Sequence, residues 1–259
     1  MERILLPNGM DFYCLNRNEA LLLYSDLFEE RSYFQHGVAI RPGDTVVDVG
    51  ANIGLFALLA SLEAPDVRVL SLEPLPPIYS VLRANFELHG IAGEALPLGI
   101  GPREQQVTFT FYPQNSALSG QYAQPEQEKE LIVRLLRNRF PAMTPAGLEV
   151  LATRGLGGEA HEGRIRPLSA VLHDTGVTRV DLLKVDVEKA ELGVLESIDE
   201  ADWKGIAQVV VEVHDISSRL RRVREMLESR GFEVHSRQGP NFANTDLWDV
   251  FAIRTRDFR

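Results

Sequence analysis

What the chain has little of narrows its class first. Cysteine is confined to Cys14, so no internal disulfide can form and a cytoplasmic setting is expected. No run of about 18 apolar residues occurs, so no membrane span is expected. The opening Met1-Glu2-Arg3-Ile4 lacks a basic stretch followed by an apolar one, so it does not read as a signal peptide. Basic charge is not in excess either: 27 Lys and Arg face 37 Asp and Glu, a formal net charge of −10. The densest basic stretches, Arg134–Arg139 and Arg219–Arg224, are short and mixed with apolar residues, as helix faces are. A nucleic-acid partner, which needs a basic face to meet phosphates, is therefore disfavoured. What remains is ordinary: 44% apolar and 25% charged over 259 residues, enough for one large α/β domain over 1–259.

Against that background stands Val46-Val47-Asp48-Val49-Gly50-Ala51-Asn52-Ile53-Gly54. It reads as a buried strand, a tight glycine turn and the start of an apolar helix over Leu55–Leu62. Asp48 sits at the carboxyl end of the strand, where open α/β sheets bind ligands. A second acid, Glu73, closes the next strand, Val67–Leu72, 25 residues on. An acid there holds a ribose diol in nucleoside-binding α/β folds. Of two nucleosides, a dinucleotide is disfavoured: its fingerprint wants a glycine where Asn52 stands. A carboxylate two residues before Gly50 suits a sulfonium and ammonium ligand better than a pyrophosphate. S-adenosylmethionine (SAM) is thus preferred to a nicotinamide cofactor, and Asp48–Gly54 resembles the first motif of class I methyltransferases.

Before this motif, Ile4–Leu15 reads as a hairpin around Pro7-Asn8-Gly9, and Glu19–His36 carries apolar residues at helical spacing. Tyr33 and His36 are candidates to line a site. Beyond Glu73 come a helix over Ile78–His89 and strands over Glu94–Gly99 and Val107–Tyr112. Residues 113–163 then interrupt the rhythm, with a polar loop at Asn115–Gly120 and an amphipathic helix over Gln127–Phe140. A second helix over Ala146–Arg154 and a flexible loop over Gly155–Gly163 complete it. A stretch this long is expected to form a cap on the substrate side. The rhythm resumes with strands Val180–Val185 and Ile206–Val211, a helix over Leu220–Arg230 and closing strands near Phe232 and Phe251.

Two charged clusters fall at strand ends: Lys184-x-Asp186-x-Glu188 and Glu212-x-His214-Asp215. Alternation puts Lys184 and Asp186 on one face and Glu212 and His214 on a common face. Lys184, in an apolar strand, needs an acidic partner, and Asp186 or Glu188 is the expected one.

Together with Tyr33-Phe34-Gln35-His36-Gly37, the Glu73-Pro74 step and Phe109–Gly120, these motifs resemble the FkbM family of methyltransferases. The similarity runs from about Leu5 to Arg254, in order, and weakens over Met143–His161. The Glu188-Lys189 pair and the Phe-Tyr-Pro before Asn115 resemble the branch found with polyketide and peptide assembly lines. The resemblance implies a Rossmann-like, mostly parallel seven-stranded sheet with an antiparallel C-terminal hairpin. It also implies SAM-dependent O-methylation of a natural-product hydroxyl, free or tethered to a carrier protein. Saccharide or lipid acceptors, or a non-catalytic SAM-binding role, are the alternatives. The cofactor residues expected are Asp48, Gly50, Ala51, Asn52, Gly54, Glu73 and Pro74, with Tyr33, His36, Ser116 and Ser119 on the substrate.

For the chemistry, an alcohol must lose its proton as it attacks the methyl group. His214 is the expected general base, because an imidazole titrates near neutrality, with Glu212 or Asp215 fixing its tautomer. A second version holds Mg²⁺ between Asp186 and Glu212 to acidify the hydroxyl.

Overall fold

A computed structural model describes residues 1–254, with Arg154 described by its backbone alone; residues 255–259, the end of the expected domain, lie outside it. The elements in chain order begin with β1 (Glu2–Leu5), β2 (Asp11–Cys14) and α1 (Arg17–Tyr24). Next come β3 (Thr45–Val49), α2 (Leu55–Glu63), β4 (Arg68–Leu72), α3 (Pro76–His89), β5 (Gly93–Leu96), β6 (Gly99–Ile100) and β7 (Gln105–Phe111). Then follow α4 (Pro125–Arg139), α5 (Pro145–Arg154), β8 (Glu159–Arg166), α6 (Leu168–Thr175), β9 (Leu182–Val185) and α7 (Glu191–Glu196). The chain closes with α8 (Glu200–Trp203), β10 (Gln208–His214), α9 (Arg219–Ser229), β11 (Phe232–Arg237) and β12 (Leu247–Arg254). No helix among the described residues is long and apolar enough to cross a membrane.

Seven strands make the main sheet, in the order β11-β12-β10-β9-β3-β4-β5. The five from β10 to β5 run parallel, and β12 inserts antiparallel between β10 and β11. This is the Rossmann-like sheet of class I methyltransferases with its antiparallel close, as the motifs imply. The strands read as unbroken Val and Leu runs because both faces are covered. One face packs α2, α3 and the N-terminal segment; the other packs α6, α7 and α9. With β3 in the middle of the five parallel strands, the carboxyl ends of β4, β3, β9 and β10 open side by side. The β3–β9 register sets Asp48 directly opposite Lys184.

The β1–β2 hairpin turns at Gly9, whose φ of +83° needs glycine. Buried Asn85 of α3 ties it down, bonding Tyr13 N–H and C=O and also the Ile53 carbonyl. The helix expected over 19–36 is shorter than its apolar spacing suggests. α1 passes into a π-helical turn at Ser25–Glu29, and Arg31 at φ 55° ends it.

In the 113–163 stretch both expected helices form, as α4 and α5. The flexible loop expected over Gly155–Gly163 does not: from Glu159 onward it is strand β8, paired antiparallel with β7 over Gln105–Phe111. The strand escaped notice because one face is solvated and charged, leaving only Gly163 and Ile165 buried in alternation.

Candidate active site

A cavity of about 410 Å³ runs along the carboxyl ends of β3, β4, β9 and β10. At one end lies the glycine turn. Gly50 has φ +77°, and a Cβ there would sit 1.8 Å from the Asp186 carbonyl oxygen, so no other residue fits. Asn52 takes φ 49°, a left-handed conformation that Asn tolerates better than most residues. Its N–H donates to Glu73 Oε2 at 3.1 Å, and the Leu75 N–H donates to Oε1 at 3.0 Å. Burial pushes the Glu73 carboxyl up to about 7, against the pull of these two N–H groups. Pro74, Gly99, Phe109 and Ile165 form an apolar wall beside it. The Asn52 side chain meets Ser116, whose hydroxyl donates to Glu19 at 3.0 Å. Ser119 also lines the cavity, while its Oγ accepts from the Tyr112 N–H.

Under the turn, Lys184 is 3% exposed and its partner is mainly Asp48, at 3.0 Å, with Asp186 at 3.7 Å. Its Nζ also donates to the Gly50 carbonyl at 2.7 Å. Burial works to lower the Lys184 pKa, but the Asp48 and Asp186 carboxylates outweigh it and keep the ammonium charged. Asp48 therefore does not reach the cavity wall as a partner for a cationic ligand, as its place in the motif suggested. It is fully buried and anchors Lys184 beneath the turn. Gly54 is likewise behind the wall, its open α-carbon face against Leu82.

Asp186, Glu188 and Glu212 converge within 4.8 Å of one another. Asp186 accepts the Tyr33 hydroxyl at 2.9 Å. Glu212 has no hydrogen-bond partner among the described residues, and its carboxyl faces the cavity. Burial first, then the charges of Asp186, Asp249 and Glu188, push its pKa well above the ordinary carboxyl value. Asp249 stands directly opposite it across β10 and β12.

The expectation for His214 fails on its surroundings. Alternation does put it on the same face as Glu212, yet Glu188 and Glu191 close over it and leave it 2% exposed, off the cavity wall. Its Nδ1 lies 2.7 Å from Glu191 and its Nε2 3.1 Å from Glu188, while Arg219 holds the other Glu191 oxygen. Burial works to lower its pKa, but the two glutamates raise it to about 11. A group that holds its proton so firmly is no general base near neutrality. Nor does Asp215 orient it: that carboxylate caps α9 through the Leu220 N–H. His36 also lies away from the site, stacked on His235 at 4.7 Å beside Phe251.

The Asp186 and Glu212 pairing expected for Mg²⁺ comes together in space, but the donor set is a poor fit. Lys184 sits 3.7 Å from Asp186, and His214 engages Glu188, so positive charge already balances two of the three acids.

Some lining residues carry no motif. Glu19 shows only as a charge on a helix, and its reach to Ser116 and the Ala117 N–H depends on how the N-terminal segment folds back. Leu131 and Leu135 were findable, one helical turn apart on the apolar side of α4.

The family model for the methyltransferase FkbM domain matches residues 48–234. The chain is 40% identical over 255 residues to the 31-O-demethyl-FK506 methyltransferase FkbM of Streptomyces tacrolimicus, covering 98% of both proteins. It is 36% identical over 260 residues to the AMB antimetabolite synthetase AmbE of Pseudomonas aeruginosa, where it spans 96% of this chain and 12% of that protein. It is 33% identical to the methyltransferase sdnD of Sordaria araneosa, over 96% of this chain and 95% of that one. In structure it is similar to the methyltransferase FkbM of Methylobacillus flagellatus, with a TM-score of 0.51 and 16% identity, over 90% of this chain and 52% of that one. The motif-bearing strand ends and these matches over nearly the whole length agree, and the chain belongs to the FkbM family of SAM-dependent methyltransferases.

Proposed function

We propose that the chain methylates a hydroxyl group of a natural-product intermediate, free or carried on an assembly-line carrier protein, with Glu212 as the general base. One observation carries this reading. The free carboxylate of Glu212 faces the same cavity as the glycine turn and Glu73. The names of two relatives support it, a 31-O-demethyl-FK506 methyltransferase and an antimetabolite synthetase.

The residues fit SAM by donor chemistry. Each Glu73 oxygen takes one backbone N–H and keeps a lone pair, enough to accept ribose hydroxyls as well. When bound, SAM supplies an electrophilic methyl on a sulfonium leaving group. Positioning contributes much of the rate in such a transfer. Tyr33, Lys184 and Asp186 form a connected floor to the cavity. With SAM bound, Glu212 would take the acceptor's hydroxyl proton as the oxygen displaces the sulfonium, whose sulfur would keep the electron pair. Burial and the neighbouring acids raise the Glu212 pKa, so it holds an accepted proton more readily than an exposed carboxylate does.

The test is product analysis with trideuteromethyl SAM and excess EDTA present. The expected product carries the intact label as a methyl ether, formed one-to-one with S-adenosylhomocysteine. Label on nitrogen or carbon, or activity that needs added Mg²⁺, would overturn the reading.

A further inference from the structure

One side of the cavity, walled by helices and not by strand ends, differs sharply in character. Its walls are Leu23 and Leu27 from the N-terminal helical segment, Leu131, Leu135 and Leu136 from α4, and Phe242. At its mouth two large apolar side chains stay open to solvent: Leu22 is 46% exposed and Phe140 42%. Two charged groups on this side are engaged by neighbouring side chains. Asp26 accepts the Ser32 hydroxyl at 2.7 Å, and Arg139 pairs with Glu30 at 3.3 Å. At the floor the Glu212 carboxyl, and beside Phe242 the Asn241 amide, have no side-chain hydrogen bond among the described residues.

A ligand matched to these walls has one hydroxyl at its reacting end and a hydrocarbon body behind it. A sugar would bury several hydroxyls against leucines with few groups to bond them, at a cost for each left unpaired. We infer that this side is the acceptor site and that it takes aliphatic alcohols, not saccharides. The inference rests on the hydroxyl-methylation reading for its chemistry, but its walls can be tested without turnover.

The experiment is calorimetric titration of the protein saturated with S-adenosylhomocysteine. The probes are 2-hexanol, 2-octanol and 2-decanol, with methyl β-glucopyranoside as the contrast; methyl transfer to each is followed separately. Affinity is expected to rise about four-fold per added methylene until the space is filled, with no glucoside binding. Leu135→Asn should flatten the series, whereas Val150→Asn, on the exposed side of α5, should leave it unchanged. A flat series, or glucoside binding as tight as 2-octanol, would overturn the inference. Graded binding with no methyl ether formed would keep the apolar site and overturn hydroxyl methylation instead.

Discussion

At the level of single residues, charge balance decides who does chemistry. Locked between Glu188 and Glu191, His214 has a folded pKa of about 11 against an ordinary 6.5. Because that pKa is raised, its contribution to stability is complete below about pH 6.5 and is lost as pH climbs toward 11. Its partners sit 23 and 26 residues away in sequence, so spacing alone shows a histidine near a strand end and hides the pairing. Glu73 was legible, because an acid closing the second strand has few other uses; its titration was not, since burial sets it. With a carboxyl pKa of about 7, it is ionised at pH 8 and largely protonated at pH 6. Ionised, it accepts hydrogen bonds from a ribose more strongly, so affinity for S-adenosylhomocysteine should rise about ten-fold between those values. Glu73→Gln should abolish that slope in calorimetric titrations and Glu19→Gln should retain it; a slope unchanged in the Glu73 variant would contradict the assignment.

Among the elements, α4 decides access. Lys189 adopts φ 65°, a conformation that costs a non-glycine residue about 1–2 kcal/mol. It thereby sends its ammonium into a buried pair with Glu128 of α4, at 2.5 Å, where Glu128 is 1% exposed. At the other end of the helix, the Asn138 amide donates to the Asn241 and Ala243 carbonyls, each at 2.8 Å. Breaking the pair from one side leaves a buried charge, a loss of about 3–5 kcal/mol borne first by α4. Lys189→Met should therefore raise KM for an aliphatic acceptor at least ten-fold while the affinity for S-adenosylhomocysteine holds. Lys189→Met with Glu128→Met should restore most of it, and amide exchange should show the loosening confined to α4 and α5. An equal loss of cofactor affinity would contradict this role. The amphipathic pattern of α4 was plain in the sequence. Its clamps were not, because they join residues about 60 and 100 positions apart that only the fold brings together.

For the molecule as a whole, parallel strand order does the assembling. With β3 in the middle of the parallel strands, four strand ends deliver the glycine turn, Glu73, Lys184-Asp186 and Glu212 to one rim, although 162 residues separate Gly50 from Glu212. That much follows from alternating strand and helix patterns, so the sheet and the rim were both readable. The faces were harder. Asp48 and His214 have motif positions but point into the protein, one neutralising Lys184 and the other held between glutamates. The proposed chemistry turns on which group takes the acceptor's proton. The most direct measurement is kcat on 2-octanol, per bound S-adenosylmethionine, for wild type, Glu212→Gln and His214→Gln. Glu212→Gln should lose about 10²–10⁴-fold with cofactor affinity kept, and folded His214→Gln should stay within a few-fold of wild type. Near wild-type turnover in Glu212→Gln, with the large loss in His214→Gln, would contradict it.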